Sequence, residues 1–262
     1  MFLGQVWGNN FMDEQLQIKV NQLIQMLAGE KKHVLFLVES GSRAYGLDGP
    51  DSDYDIRGVF VHTKLMNYFC EGKNDTVTQM WLKSDTDFDT KLDIVLYDIL
   101  KFKTLLCKSN AQVVDWLMSP IWYTGTRYPE FSIFAEQQSN LIALCRHYVA
   151  LAEKDIHMQE RPMQHVFRGI INALFIVICK QVPPTNVWSA VEVLKKTKYH
   201  KIISKLTELA YEHDWIEFFD NGHELFENII ESTDTIQLDR TTNKHISKLC
   251  EFVTQLIKVY AI

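Results

Sequence analysis

Residues 38–61 read VESGSRAYGLDGPDSDYDIRGVFV, and the fold turns on this stretch. The run HVLFLVES at 33–40 is apolar, of strand length and without alternation, the pattern of a strand buried on both faces. It ends on Gly41-Ser42, after which a short helix is expected over 42–48, and GPDS at 49–52 has the turn chemistry that sends the chain back. Asp53 to Val61 then reads as a second strand. Successive strand residues face opposite ways, so Asp53 and Asp55 project from one face and Tyr54 and Ile56 from the other. Arg57 shares the face of the aspartates, placed to pair with a carboxylate or with a phosphate.

Two carboxylates on one point repel, and such a pair needs a shared proton or a cation. Mg²⁺ suits it, because this ion takes oxygen ligands from one or two carboxylates and fills its other positions with water and substrate phosphate. Gly41 lets backbone approach a ligand, and a helix starting at Ser42 or Arg43 would aim unpaired N–H groups at an anion. One half of the stretch reads as a phosphate cradle and the other as a metal site.

Upstream, Leu16, Val20, Leu23, Ile24 and Leu27 recur at helical spacing between Asp13 and Ala28, with Gly29 as the stop. Downstream, 62–75 is a polar connection and TVTQMWLK at 76–83 a strand. SDTDFDT at 84–90 lacks the glycine and distal glutamate of a calcium loop and reads as a solvated hairpin loop. KLDIVLY at 91–97 alternates, with Leu92, Ile94 and Leu96 on one face and Asp93 and Val95 on the other. A lone aspartate on such a strand is costly to bury unless something charged meets it, and a metal held by Asp53 and Asp55 would do so. Asp98, just before ILKFKTLL, has the position of a helix N-cap. Helices are expected over 98–107 and 110–118, packed against the sheet through Trp116, Leu117, Ile121 and Trp122, with Pro120 ending the second.

From about 128 the strand signals stop, and helical patterns fill 130–154, 161–181, 186–197, 200–213, 217–231 and 241–260. A strand-rich half followed by a helical half argues an α+β chain of two lobes, 1–127 and 128–262. No low-complexity linker divides them, so the lobes should pack together, and there are no internal repeats. Arg161, His165 and Arg168 share one helical stripe. KKTKYHK at 195–201 is the dense basic run, read as a solvated helix end, with RNA backbone as the other candidate.

The chain has 262 residues and a formal charge of −6, which disfavours general polyanion binding and leaves nucleic acid only a local basic patch. Its five cysteines are scattered and form no C-x-x-C pair, the pattern of reduced thiols in a cytosolic protein. The start, MFLGQVWGNN, lacks the build of a signal peptide, and the apolar run IINALFIVIC at 170–179 is half of what spans a bilayer. A cytoplasmic protein without a membrane segment is the expectation.

Gly41-Ser42, Asp53 and Asp55 match the signature of the DNA polymerase beta-like nucleotidyltransferase superfamily, and GSRAYG…PDSDYDIRGVFV resembles its RlaP/YcgL-type branch, associated with RNA ligases. NAQVVDWLMSPIWY at 110–123 resembles that branch's N-P-x-x-x-E-W-L-x-S-P-I-x-Y block, and HVFRGIINAL at 165–174 resembles its helix with a central arginine; the likeness spans 35–180. The resemblance implies an α+β nucleotidyltransferase sheet with flanking helices and a C-terminal helical lobe. It implies Asp93 as the third metal-binding carboxylate beside Asp53 and Asp55, on Mg²⁺ or Mn²⁺. It further implies nucleoside triphosphate contacts from Gly41, Ser42, Arg43, Arg57 and Arg168. The reaction would move a nucleoside monophosphate to an acceptor hydroxyl with release of pyrophosphate. Three readings follow: transfer to an RNA or tRNA end, nucleotidylation (AMPylation-type) of a protein or small molecule, and nucleotide binding without turnover.

Overall fold

A computed structural model of the chain describes residues 14–69, 76–78, 91–156, 163–212 and 243–261. Helix α1 (Glu14–Gly29) leads into β1 (Lys32–Ser40), which delivers a single turn and a half of helix, α2 (Gly41–Tyr45), and returns as β2 (Tyr54–His62). After α3 (Met66–Phe69) come β3 (Thr76–Thr78) and β4 (Leu92–Asp98). Helices α4 (Ile99–Cys107) and α5 (Ala111–Leu117) precede a short β5 (Trp122–Gly125). The rest of the described chain is helical: α6 (Pro129–Gln138), α7 (Leu141–Ile156), α8 (Met163–Cys179), α9 (Val187–Leu194), α10 (His200–Glu212) and α11 (Asn243–Tyr260). This is the α+β sheet with flanking helices that the resemblance implies.

The five strands lie in the order β3-β4-β2-β1-β5. β1 runs antiparallel to β2 and to β5, and β3 antiparallel to β4, whereas β2 and β4 are parallel. That parallel pair sets the level of the site, because it aligns Asp55 with Asp93 and Arg57 with Val95. Both faces of the sheet are covered. Leu16, Val20, Leu23 and Leu27 of α1 pack on Leu37, Ile56, Phe60, Leu92, Ile94 and Leu96. The opposite face, with Phe36, Val38, Val59 and Val61, joins one apolar core with Phe102, Trp116, Phe131, Phe167 and residues as far as Leu256. Each large apolar side chain so buried contributes about 1.5–3 kcal/mol. The core therefore continues from the strand-rich half into the helical half without a break.

Two local expectations change. Residues 122–125 form β5 and extend the sheet past β1, where only a packing segment was expected; Trp122 and Tyr123 suit a strand edge, and the preceding Pro120 has already ended the helix. The helical stretch at 130–154 is two helices, because Asn140 caps the second, its side chain accepting from the Ala143 N–H at 3.0 Å. The expected strand at 76–83 is seen over Thr76–Thr78. Residues 79–83 and 84–90, and the expected helix at 217–231, lie outside the described residues.

Candidate active site

Four segments meet at the carboxyl end of β1. Gly41 opens α2 with φ +60°, a backbone conformation that favours glycine. A Cβ at this position would stand 1.7 Å from Oδ2 of Asp55, so the glycine is what lets the β2 carboxylate come up against the start of α2. Ser42 follows in the first turn of α2 and is partly exposed.

Asp55 and Asp93 face each other across the parallel β2–β4 pair. Their side chains converge on one nitrogen: Arg57 Nη2 donates to Asp55 Oδ1 at 2.7 Å and to Asp93 Oδ2 at 2.6 Å. Arg57 Nη1 donates to the Asp93 carbonyl at 2.8 Å and to its neighbour's, Ile56, at 3.2 Å. The charged group that Asp93 requires is thus present in the chain itself. Arg57 is nearly enclosed at 9% exposure, while Asp55 is 22% and Asp93 48% exposed, so the carboxylates open outward. Burial pushes the Asp55 carboxyl above the usual aspartate range, Arg57 opposes the shift, and the charges of Asp93 and Asp53 add to it. Asp53 lies just ahead of β2 and is exposed. Asp98, by contrast, is fully buried at the start of α4, accepting from the Leu100 N–H at 2.8 Å and from the Tyr68 hydroxyl at 2.9 Å. It is the N-cap that its position predicted.

Behind this site sits an acid that the sequence reading passed over. Glu39 is fully buried on β1; its Oε1 accepts from the Asp55 N–H at 2.7 Å and its Oε2 from the Tyr123 hydroxyl. Burial pushes its carboxyl up to about 7, partly opposed by those hydrogen bonds. The Ser119 hydroxyl donates to the Glu39 carbonyl at 2.6 Å, so the 110–123 block braces the strand that carries Gly41. The available signal was a charged residue inside an otherwise apolar strand, the same signal that singled out Asp93.

The arginines divide. Arg43 turns onto the loop before β2, donating from Nη2 to the Ser52 carbonyl at 2.7 Å and from Nε to the Asp53 carbonyl at 3.1 Å, with its guanidinium 4.0 Å from the Tyr54 ring centre. It fixes the backbone that presents Asp53. Arg168 is not brought to the carboxylates. It is buried, donates to Asp115 Oδ2 at 2.6 Å, and stacks on Tyr45 of α2 with its guanidinium carbon 3.5 Å from the ring centre. Tyr148 donates to the other Asp115 oxygen at 3.0 Å, and Trp188 Nε1 donates to the Gly46 carbonyl at 2.6 Å. Helix α2 is therefore gripped from behind by α5, α7, α8 and α9. Arg161 lies outside the described residues.

The donor chemistry fits a divalent cation: Asp53, Asp55 and Asp93 offer hard oxygen ligands, and their mutual repulsion is what such an ion relieves. As arranged around Arg57, no group of three or more His, Cys, Asp or Glu among the described residues is gathered tightly enough to hold a metal. Elsewhere, Cys107, Cys145, Cys179 and Cys250 are not joined in disulfides, and no described helix is long and apolar enough to cross a membrane. Residues 195–199 form the turn between α9 and α10, and Lys196, Lys198 and Lys201 are exposed while Lys195 is half-buried.

The sequence model of the family described as "RlaP: RNA repair pathway DNA polymerase beta family" matches residues 12–249. The chain is also similar to "Uncharacterized protein YcgL" of Bacillus subtilis (strain 168), 29% identical over 167 residues. That similarity covers 58% of this chain and 60% of the relative, so the chain spans about three fifths of the length of the curated relative it matches.

Proposed function

Because this chain belongs to the RlaP family of RNA repair pathway DNA polymerase beta-like proteins, we propose that it is a metal-dependent nucleotidyltransferase whose acceptor is the hydroxyl of an RNA or tRNA end. The observation that supports this most is the convergence of Asp55 and Asp93 at one level of the β2–β4 pair, with the glycine-opened start of α2 against Asp55. Asp53, Asp55 and Asp93 would hold Mg²⁺ or Mn²⁺, which when bound supplies charge for the departing pyrophosphate and acidifies the acceptor hydroxyl. The backbone N–H groups at Gly41 and Ser42, with the Ser42 hydroxyl, seat the β and γ phosphates. Arg43 positions the Asp53 backbone, and Glu39 holds the Asp55 N–H so that the carboxylate keeps its aim. Arg168 steadies α2 from behind through Tyr45.

The test is incubation with each α-labelled nucleoside triphosphate and Mg²⁺ or Mn²⁺, with and without total RNA, beside the Asp53→Ala/Asp55→Ala double variant. Label entering RNA with the intact protein alone establishes the reaction and names the nucleotide. The formal charge of −6 favours a second reading, nucleotidylation of a protein or small molecule, which predicts label on those acceptors instead. Metal-dependent triphosphate binding with no label transferred anywhere identifies a binding module and sinks both.

A further inference from the structure

We propose that Arg57 is a built-in counter-ion that a divalent cation must displace from Asp55 and Asp93, so that this arginine sets how tightly the site takes metal. The inference rests on reading these carboxylates as metal ligands. The sealed Arg168–Asp115 pair joins one acid to one base at 2.6 Å, whereas here one nitrogen, Nη2, is shared between two carboxylates at 2.7 and 2.6 Å. It stands where both negative groups are satisfied at once, which is the position a shared cation takes between them.

The other terminal nitrogen is held by other means. Nη1 is anchored on the Asp93 and Ile56 carbonyls at 2.8 and 3.2 Å, main-chain groups that stay put when the carboxylates turn away. Arg57 can therefore give up its two carboxylate bonds and keep its seat on the backbone. The acids have the freedom to leave, since Asp93 is 48% and Asp55 22% exposed, while the arginine at 9% does not reach water as easily. Charge accounting favours the exchange. Asp53, Asp55 and Asp93 are three acids set against the single guanidinium of Arg57, an excess of oxygen ligands that suits a divalent cation. Without metal, the guanidinium holds like charges together and keeps the β2–β4 register; with metal, it yields the inner oxygens.

The deciding experiment is Mn²⁺ binding, measured by electron paramagnetic resonance of free Mn²⁺, on the wild type, Arg57→Gln and Asp55→Asn. Arg57→Gln should bind tighter by roughly tenfold or more, the size expected when a unit charge within about 4 Å of the ligands is removed from a partly buried site. It should also unfold at lower temperature without metal and gain more from added Mn²⁺ than the wild type does. A merely structural arginine would lower stability and leave affinity equal or weaker, which overturns the inference while the metal reading stands. Absence of binding in both wild type and Arg57→Gln overturns the metal reading with it, and loss in Asp55→Asn assigns the binding to this site. Should Arg57→Gln not fold, the wild type decides: the Arg57 side-chain nitrogen resonances shift on Mg²⁺ addition if it is displaced and keep their positions if it is not.

Discussion

Among the described residues, the buried arginines Arg57 and Arg168 each meet carboxylates, and the two clusters are built to opposite ends. Around Arg168, one carboxylate meets one guanidinium at 2.6 Å, with Arg168 4% and Asp115 7% exposed. Tyr148 satisfies the second oxygen and Tyr45 covers the guanidinium face. Charge is balanced and water excluded. Around Arg57, two carboxylates crowd one nitrogen, Asp53 adds a third charge nearby, and one side is open. Equal chemistry thus serves packing where it is balanced and sealed, and a site where it is unbalanced and open.

The largest effect expected from breaking the contrast is at the open cluster. Asp55→Ala should lower nucleotidyl transfer by at least roughly 10²-fold, as for loss of a group that stabilises transition-state charge. Folding should persist, because Arg57 keeps Asp93 as its partner; transfer at the wild-type rate by a folded Asp55→Ala protein would refute the site. At the sealed cluster the order reverses. Asp115→Ala strands a buried guanidinium and should cost about 3–5 kcal/mol in urea unfolding, whereas Asp115→Leu/Arg168→Met should recover much of that loss. If the single and double variants are equally unstable, the cluster's charge is not what Asp115 supplies.

Gly41→Ala joins the two kinds of damage. Left-handed backbone costs a non-glycine residue about 1–2 kcal/mol, and the added carbon displaces Asp55 Oδ2, so melting should drop modestly while transfer falls steeply. A smaller effect is expected from Glu39, whose carboxyl is raised from the ordinary 4.5 to about 7. The folded protein keeps that proton over a range where the unfolded chain has lost it. Its contribution is therefore fully present below pH 4.5 and is lost as pH rises through about 7. The slope is at most about 1.4 kcal/mol per pH unit for one proton. Denaturant titrations of metal-free wild type and Glu39→Gln across this range should diverge accordingly; parallel curves would mean that Glu39 is ionised throughout.

Most of the open cluster could be read from local order. An apolar run, Gly41-Ser42 and Asp53-x-Asp55 are near one another in the chain, and strand alternation alone puts the aspartates and Arg57 on one side. Asp93 stood out as a charge on an apolar strand, but its partner did not, since Arg57 is 36 residues away and strand direction is not written locally. Glu39 and Asp115 were hidden inside strings read as core, although each is an acid that burial obliges to find donors. Arg168 carried a charge suited to phosphate, and only its surroundings, Asp115, Tyr45 and Tyr148, assign it to packing. The α+β class was legible from the change of period along the chain, and the lack of a low-complexity linker already suggested the packing that the shared core shows.

Parallel pairing of β2 with β4 has an evolutionary consequence. Asp55 and Asp93 meet because hydrogen bonds fix the two strands side by side, not because the intervening chain has a particular length. Between them, β3 pairs with β4 and the Tyr68 hydroxyl donates to Asp98 at 2.9 Å, so these contacts hold the outer side of β4 while the β2 pairing sets its level. A one-residue slip is the change this design does not tolerate, since it would turn Asp93 to the α1 side of the sheet. Selection is thus directed onto the register of two neighbouring strands more than onto the number of residues between them.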